Sequence, residues 1–401
     1  SHYTFKQTTT IMSGLRIAMI TRRFWPLVGG GEMVMANLAC EFKTLGAQPT
    51  ILTAQWDPSW PLQIEHREIP VQRLPNPARR GWGTYVYMDA LSRWLRQNAS
   101  QYDAVLVSML KHSAYSAVRA CNKLGHPVML RIEGGGETGD CAWHETARFG
   151  KRIHRRCQQA AAIITPSQAT YDEASAAGFK SSTLHHIPNG VAVERSSVVD
   201  KATIRQRLHE INHDLSCDPD TKIALFTGRL TRKKGLFELV SAWQSVAKRI
   251  PNSQLWLIGE GPDRDQLFDK IRDLDLVGRV VMPGTFDAVD DFLAAADAFT
   301  LPSYTEGLSL SLLEAMAHRL PVIASNIEGN RQLIVDGTHG RLIPVQEVES
   351  LGTAIYEAFT NDNQQQVDAA ETRVATQFSL ASMAQAHLDL LAQAVANSCE
   401  S

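Results

Sequence analysis

Residues 299–324, FTLPSYTEGLSLSLLEAMAHRLPVIA, contain the pattern on which the interpretation of the whole chain depends. The apolar runs at residues 299–301 and 322–324 predict two short buried strands, separated by a loop and a helix. From about Ser309 the apolar residues recur at the spacing of an α-helix. A strand, a loop, a helix and a second strand, in this order, are typical of a parallel α/β sheet.

Two glutamates flank the start of this predicted helix. Glu306 lies in the loop, and Glu314 lies eight positions later, about a turn and a half inside the helix. A helix N-terminus attracts anions because it carries a partial positive charge and unpaired N–H groups. Gly307 removes a side chain at a place where a phosphate could approach the backbone. We therefore interpret the two glutamates as groups on either side of a bound phosphate, each able to bind a hydroxyl.

This stretch resembles the hallmark of the retaining glycosyltransferases of family 4, which have the GT-B fold. That hallmark is a glutamate, seven residues, a second glutamate and then Ala-Met-Ala, and here it spans Glu306 to Glu314 and residues 315–317. The resemblance implies an α/β chain with two Rossmann-like doubly wound domains and a deep cleft between them. The alternative is a buried α/β unit with two incidental surface acids. It is disfavoured because a second loop of the phosphate-binding type, at residues 228–235, occurs in the same order along the chain as in the family.

The resemblance also implies how a nucleotide-sugar donor is bound. In this family the second glutamate, here Glu314, holds the ribose hydroxyls, and the first, here Glu306, holds hydroxyls of the donor sugar. The donor diphosphate is expected to bind the backbone amides of Gly307, Leu308 and Ser309.

The second phosphate-type loop is Gly-Arg-Leu-Thr-Arg-Lys-Lys-Gly at residues 228–235, directly after an apolar run that predicts a strand. It resembles the family's Gly-Arg-Leu…Lys-Gly string, which places Gly228, Arg229 and Lys234 in the donor site. A nucleoside diphosphate leaves with growing negative charge, and preorganised cations stabilise that charge. Lys233 competes with Lys234 for this role, but Lys234 directly precedes a glycine as in the family. The alternative is a basic turn on the surface.

Three glycines, Gly29 to Gly31, lie between a predicted strand at residues 15–21 and a predicted helix at residues 32–45. Their spacing is not the G-x-G-x-x-G of a dinucleotide site. With Glu32 they resemble the family's Gly-Gly-x-Glu, which implies that the turn at Gly30 approaches the donor diphosphate. For any single glycine the alternative, a tight turn only, stays open.

Residues 131–140, RIEGGGETGD, follow another predicted strand, so they should lie at the carboxyl edge of a sheet, where ligands bind in such folds. Many relatives carry a histidine near this place, and here Glu133 occupies it. We expect Glu133 or Arg131 to take over part of that role as a contact to the sugar or the acceptor.

Further apolar runs predict strands at residues 50–53, 104–108, 127–132, 162–165, 184–187, 222–227 and 254–258. Their alternation with helical segments favours parallel sheets covered on both faces. Residues 79–88, basic, aromatic and rich in glycine, are predicted to be a loop, either an acceptor loop or an ordinary surface loop.

We predict four segments along the chain. They are a tail at residues 1–13, an acceptor-binding domain at 14–195, a nucleotide-sugar-binding domain at 196–378, and a helix at 379–401 that crosses back to the first domain.

Composition narrows the class of protein. The chain has 401 residues, more than one ordinary core needs, and a net charge of −2, which argues against a nucleic-acid-binding surface. It contains no apolar run long enough for a transmembrane helix. The six scattered cysteines predict free thiols in a reducing compartment, and hence a cytoplasmic protein.

A basic run, RFGKRIHRR at residues 148–156, has five Lys or Arg in nine residues. One hypothesis is contact with an anionic lipid or an anionic acceptor, which would make the protein peripheral on the inner face of a membrane. The other interpretation, a solvated helix face, is favoured because most charge runs are merely exposed.

We therefore expect a retaining hexosyltransferase that uses a UDP-sugar or GDP-mannose and an acceptor hydroxyl on a glycan, glycolipid or small molecule. Its role would be in cell-envelope glycan, exopolysaccharide or glycolipid synthesis. Glu306, Arg229 and Lys234 are the expected catalytic residues, and we expect no cofactor and no metal because the cations and the helix N-terminus supply positive charge. The alternatives are a GT-B nucleotide-sugar epimerase or hydrolase, and a non-catalytic protein that binds a nucleotide sugar.

Overall fold

Two separate sheets organise the chain, each built from the apolar runs of one part of the sequence. The computed structural model describes residues 14–27, 29–78, 82–136, 139–193, 200–215, 218–286 and 289–399. The first unit comprises the described residues up to Asn189 together with those from Leu380 onward, and the second unit spans Gly190–Ser379. The tail predicted at residues 1–13 lies outside the described residues.

The sheet of the first unit has eight strands in the order β3-β4-β2-β1-β5-β6-β7-β8. They are β1 (Arg16–Ile20), β2 (Gln48–Ala54), β3 (Gln63–His66), β4 (Ile69–Leu74), β5 (Ala104–Ser108), β6 (Val128–Arg131), β7 (Ala162–Thr165) and β8 (Leu184–His186). The pairs are parallel except for β3 with β4, which is antiparallel. Strands β5, β6 and β7 are buried along their whole length, which is why they appear in the sequence as continuous apolar runs.

Seven helices belong to the described part of the first unit. They are α1 (Gly30–Thr44), α2 (Trp82–Gln97), α3 (His112–Cys121), α4 (Asp140–Thr146), α5 (Gly150–Cys157), α6 (Gln168–Ala176) and α15 (Leu380–Cys399). The last helix, α15, packs against α1.

The prediction of a loop at residues 79–88 is wrong for those of its residues that the structure describes. Residues from Trp82 onward form α2, and residues 79–81 lie outside the described residues. Tyr87, Leu91 and Leu95 recur every fourth residue and are fully buried, so burial of this stripe stabilises a helix that its glycines and aromatics disfavour.

The second unit has a parallel sheet of six strands in the order β11-β10-β9-β12-β13-β14. They are β9 (Lys222–Thr227), β10 (Ser253–Ile258), β11 (Val280–Gly284), β12 (Ala298–Leu301), β13 (Val322–Ser325) and β14 (Arg341–Ile343). The order of the strands reverses between β9 and β12, which are hydrogen-bonded neighbours. In an open parallel sheet the loops that follow such a strand pair diverge to opposite faces and leave a crevice for a ligand.

Eight helices cover this sheet within the described residues. They are α7 (Lys201–Ile211), α8 (Leu236–Arg249), α9 (Arg264–Asp273), α10 (Asp290–Ala295), α11 (Leu310–Ala317), α12 (Glu328–Arg331), α13 (Val348–Thr360) and α14 (Gln364–Gln377). Trp243 on α8 and Trp256 on β10 are fully buried and belong to one continuous core with the strands. The predicted start of the helix near Ser309 is confirmed, because Ser309 is the N-cap of α11.

None of the helices in the described part of the chain is both long and apolar enough to cross a membrane. Cys40, Cys121, Cys141 and Cys157 are free thiols, in agreement with the expectation from their spacing.

Candidate functional site

The loop after β9 is shaped by close backbone contacts. Arg232–Lys234 form a single 3₁₀ turn, and Gly235 follows with φ of 68° in the left-handed region. A Cβ at Gly235 would lie 2.1 Å from the carbonyl oxygen of Pro302, so only glycine fits between this turn and the loop after β12. On its other side the loop is braced by the segment after β10, where Leu230 N donates to Glu260 O at 2.9 Å.

The loop after β12 brings the two predicted strings together. Tyr304 N donates to Lys233 O at 2.8 Å, which aligns the backbone of one loop with the other. Lys234 Nζ then lies 2.5 Å from Glu306 Oε1, with 27% and 12% of the two side chains exposed. Residues 72 positions apart thus form one ion pair at the reversal point of the sheet. Lys233 is exposed instead, so the geometry selects Lys234 of the two competing lysines.

Backbone amides are left open next to this ion pair. The Ser309 hydroxyl caps α11 by accepting a hydrogen bond from Leu312 N at 3.4 Å. In the described part of the chain, no hydrogen-bond acceptor pairs with the amides of Gly307, Leu308 and Ser309. Gly307 is exposed, and no atom lies within 4 Å of the place where its Cβ would be. These amides and the helix N-terminus behind them form a surface suited to an anion.

The backbone of Glu306 and Gly307 is held from behind by α12. A Cβ at Gly329 would lie 2.1 Å from Gly307 O and 2.4 Å from Glu306 O, so the helix approaches to backbone contact. The structure gives this helix a local role as the support of the Glu306 loop.

Glu314, the fifth residue of α11, is a half-buried carboxylate with no hydrogen bond or ion pair among the described residues. Burial raises the pKa of Glu314 to about 7, and the negative charge of Asp290 adds to this shift. Asp290 itself lies 3.5 Å from His318 Nε2. Asp290 and His318 were not among the predicted site residues, because neither belongs to a recognisable string.

Arg229 is an exposed cation at the end of β9. Its guanidinium makes neither a hydrogen bond nor an ion pair with any described residue. Arg229 and Glu314 are thus a cation and a carboxylate without a partner among the described residues, in the same unit as the Lys234–Glu306 ion pair. The described ranges contain no group of three or more His, Cys, Asp or Glu residues that could hold a metal ion.

In the first unit, the predicted glycine turn opens α1 directly. Gly29 is its N-cap, and no atom lies within 4 Å of the place where a Cβ of Gly30 would be. A Cβ at Gly31 would lie 3.4 Å from Glu133 Oε2, so Glu133 reaches the glycine turn from a separate strand. Burial raises the pKa of Glu32 in the first turn of the helix.

Arg131 and Glu133 form a buried network at the carboxyl edge of the same sheet. Arg131 Nη1 lies 2.5 Å from Glu133 Oε2, with 0% and 8% of the side chains exposed. Arg131 also donates to Asn189 Oδ1, and Ser108 Oγ donates to Glu133 Oε1 at 2.9 Å. Burial raises the pKa of Glu133, and the Arg131 guanidinium opposes that shift.

Asp140, at the start of α4, completes this network. Its carboxylate accepts the backbone N–H of Glu133 at 3.0 Å and that of Leu110 at 3.2 Å. Ser108 ends the strand predicted at residues 104–108 and Asp140 ends the stretch 131–140, but neither was among the predicted site residues. Of the two predicted contacts, Glu133 faces the glycine turn, whereas Arg131 is enclosed by protein on all sides.

Two family models match the chain, "Glycosyltransferase Family 4" over residues 28–195 and "Glycosyl transferases group 1" over residues 209–373. The lipopolysaccharide core biosynthesis glycosyltransferase LpsE of Rhizobium meliloti is 34% identical over 181 residues, 44% of this chain and 52% of the relative. The UDP-Gal:alpha-D-GlcNAc-diphosphoundecaprenol alpha-1,3-galactosyltransferase of Escherichia coli is 29% identical over 173 residues, 42% of this chain and 43% of the relative. The chain spans about half the length of the curated relatives it matches.

Solved structures match over nearly the whole chain. Sucrose-phosphate synthase from Thermosynechococcus elongatus has a TM-score of 0.78 at 22% identity and covers 96% of this chain and 100% of its own. Anabaena HepE in complex with UDP and glucose has a TM-score of 0.73 at 19% identity, with coverages of 93% and 98%. These likenesses confirm the predicted fold class, GT-B with two Rossmann-like parallel-sheet domains. The two family models together match most of the chain, which therefore belongs to the family 4, or group 1, glycosyltransferases.

Proposed function

We propose that this protein is a retaining glycosyltransferase that moves a hexosyl group from a nucleotide sugar to an acceptor hydroxyl. The observation that carries the proposal is the Lys234–Glu306 ion pair beside the unpaired amides of residues 307–309, at the reversal point of a parallel sheet. A cation, open amides and a hydroxyl-binding carboxylate are the groups that a sugar diphosphate needs. Family membership supports the same reaction class.

The donor diphosphate binds Arg229, Lys234 and the open amides of Gly307, Leu308 and Ser309. Arg229 offers a planar fork for a phosphate, whereas Lys234 acts as a compact charge next to the α11 N-terminus. Gly228, in the same loop, leaves the backbone free of a side chain. The predicted contact of Gly30 with the diphosphate belongs to the first unit and stays a prediction.

The two glutamates divide the hydroxyl groups of the donor between them. Glu314 is half-buried and unpartnered, so it can accept hydrogen bonds from the ribose hydroxyls of the nucleotide. Glu306, held in place by Lys234, binds hydroxyls of the sugar. In the first unit, Glu133 contacts the sugar or the acceptor, and Arg131 positions Glu133 because Arg131 itself is fully buried.

The reaction breaks the bond between the anomeric carbon and the phosphate oxygen and forms a bond from the same face to the acceptor oxygen. The acceptor's proton passes to the leaving phosphate. Arg229 and Lys234 stabilise the charge that develops on the diphosphate, an effect typically worth a factor of about 10²–10³ in rate for one well-placed donor. We propose that these cations suffice without a metal ion.

The donor is a UDP-sugar or GDP-mannose, and the acceptor is a carbohydrate, a glycolipid or a small molecule. Names of relatives support this range, since they describe a lipopolysaccharide core glycosyltransferase, a UDP-galactose-dependent enzyme and a GDP-mannose-dependent enzyme. We therefore propose a role in cell-envelope glycan, exopolysaccharide or glycolipid synthesis, with peripheral contact to the inner face of a membrane as a further prediction.

A thermal-shift screen tests donor binding first. UDP, GDP, ADP and their common sugar conjugates are added to the protein with and without EDTA. A ligand that binds the native state raises Tm by mass action, so one nucleotide family should shift Tm selectively, and the shift should survive EDTA. A shift that EDTA abolishes would contradict metal independence, and the absence of any shift would contradict the donor site.

Product analysis with the selected donor then separates the alternatives. A transferase converts the donor rapidly only when acceptors are present, and a retaining one forms a product with the donor's anomeric configuration, which NMR couplings report. Conversion without any acceptor would favour the epimerase or hydrolase alternative. Tight donor binding with no turnover against a broad acceptor panel would favour the binding-protein alternative.

A further inference from the structure

A groove in the first unit is lined by one face each of α2, α3 and α5. Its volume is about 840 Å³, within the range of about 300–1,000 Å³ that is usual for small-molecule sites. Tyr115 and Ser116 of α3 line it and are buried, and Ile153 on α5 closes it on another side. None of its lining residues belongs to the candidate donor site in the second unit.

Cations from three separate segments converge on this groove. They are Arg96 on α2, Arg119 and Lys123 at the end of α3, and Arg148 and Arg152 at α5. None of the five forms an ion pair with a carboxylate of the described residues. Asp89, a carboxylate among the lining residues, is already paired with Arg93. The groove therefore gathers positive charges that no carboxylate of the protein neutralises. Their mutual repulsion lowers the stability of the fold unless an anionic ligand supplies the negative charge.

Aromatic rings orient part of this charge. The guanidinium of Arg152 lies 5.6 Å from the ring centroid of Tyr115, and that of Arg148 lies 5.4 Å from the ring centroid of Phe149. Such stacking orders an arginine while leaving its N–H groups free for a ligand. Tyr85 and Phe149 also line the groove, and they are 66% and 56% exposed. Large exposed rings next to unpaired cations suit a ligand with both an anionic group and an apolar part.

The basic run at residues 148–156 thus has two faces. Arg148 and Arg152 line the groove, whereas Lys151 and Arg155 on the same run are exposed and do not line it. A merely solvated helix face would explain Lys151 and Arg155. A solvated helix face does not explain why Arg148 and Arg152 line the same groove as the cations contributed by α2 and α3.

We propose that this groove binds a phosphate-bearing amphiphile. Arg119, Arg152 and the neighbouring cations hold the phosphate, and the apolar part of the ligand covers Tyr85 and Phe149. Arginine forks match phosphate oxygens in pairs, so several can act on one phosphate. The proposal does not rest on the proposed transferase function, because none of the groove residues is among the proposed donor, sugar or acceptor contacts, and a ligand there need not be a substrate.

The test uses dihexanoyl phosphatidic acid below its micelle concentration, titrated into the full chain by calorimetry. Two double variants on the same run change the charge equally: Arg148→Glu with Arg152→Glu in the groove, and Lys151→Glu with Arg155→Glu outside it. We expect the groove variant to bind at least about tenfold more weakly than wild type, and the control variant to stay within about twofold. Equal weakening by both would overturn the site, since it would reduce the effect to net charge.

Further arms identify the source of the phosphate. Inorganic phosphate should bind more weakly than the amphiphile, and equal binding would overturn the role of the aromatic rings. If the protein adsorbs to phosphatidic acid vesicles but does not bind the monomeric lipid, the groove proposal is overturned, and the basic residues contact a membrane surface instead. Lys234→Ala should leave lipid binding unchanged, and a loss there would move the site to the second unit. If the groove variant has a much lower Tm than wild type, the double variant Arg119→Ala with Lys123→Ala takes its place, and it should also bind the lipid at least about tenfold more weakly than wild type.

Discussion

The two units place charged side chains at the carboxyl edges of their sheets, but they use the charges differently. In the first unit, Arg131 and Glu133 are almost fully buried and their hydrogen bonds go to protein groups. In the second unit, Lys234 and Glu306 are partly exposed, and Arg229 and Glu314 have no partner among the described residues. Charges that satisfy one another stabilise a fold, whereas unsatisfied charges near the surface are available to a ligand. Substitutions in the first network should therefore affect stability, and those in the second should affect activity.

The largest effect is expected from Arg131→Met in the first unit. The change leaves Glu133 as a buried carboxylate without its cation, which typically costs about 3–5 kcal/mol. Urea unfolding at pH 7 measures this cost. The double variant Arg131→Met with Glu133→Gln should recover most of it, because neither charge then remains. A cost below about 1 kcal/mol for the single change would contradict the structural role that we assign to the pair.

Removing the corresponding cation of the second unit should lower activity strongly and stability only slightly, the reverse of the effect expected in the first unit. Lys234→Ala is expected to lower the transfer rate by about 10²–10³-fold, because the leaving diphosphate loses a preorganised positive charge. Its effect on Tm should be small, because partly exposed ion pairs contribute little to stability. Steady-state kinetics and a melting curve on the same sample separate the two effects.

The neighbouring residue supplies the matched control. Lys233→Ala removes an exposed lysine from the same turn and should leave transfer near the wild-type rate. Glu306→Gln should also abolish most of the transfer with the fold intact, since it removes the other half of the ion pair. Near-normal turnover in Lys234→Ala or in Glu306→Gln would make the assignment of the catalytic residues wrong.

A smaller effect on stability is expected where the two loops of the second unit touch. Gly235→Ala forces a Cβ against Pro302 O and requires a left-handed backbone, at an expected cost of about 2–3 kcal/mol. For a unit of this size the corresponding fall in Tm is roughly 4–12 °C. Gly307→Ala is the control, because nothing lies within 4 Å of its Cβ position, and its Tm should not change. Equal melting of both variants would argue against this loop contact.

The smallest effect concerns the pH dependence of Glu314. Its pKa is raised to about 7 in the folded state, so the native state binds the proton more tightly than the unfolded chain. The resulting stability is fully present below about pH 4.5 and is lost as pH rises through about 7. Glu314→Gln is neutral at all pH values, so it should be more stable than wild type at pH 8 by about 1–2 kcal/mol.

Melting curves of the wild type and Glu314→Gln between pH 4.5 and 8 measure this difference. The gap in Tm should grow as pH rises toward 7 and then level off. A gap that is independent of pH would show that the carboxylate titrates in the ordinary range and is better solvated than the structure indicates.

Much of the fold could be predicted because buried parallel strands need continuous apolar sequence. The strands predicted at residues 104–108, 162–165 and 222–227 coincide with β5, β7 and β9. The hairpin of β3 and β4 was missed, since β3 is an exposed edge strand with alternating polar residues. Strand β14 was missed as well, because its three residues begin with an exposed arginine and give no continuous apolar run. Edge strands are stabilised by their neighbours, so their own sequence predicts them poorly.

The sequence by itself determined most of the buried strands, the capped start of α11 and the family of the chain, because each depends on local spacing and on strings of adjacent residues. Only the tertiary structure decided which lysine meets Glu306, since that contact joins positions 72 residues apart through backbone hydrogen bonds between two loops. It also decided that Arg131 is enclosed and that cations of α2, α3 and α5 share one groove. Burial and charge pairing depend on residues that are close in space but distant in the sequence, and the spacing of residues along the chain does not specify which residues these are.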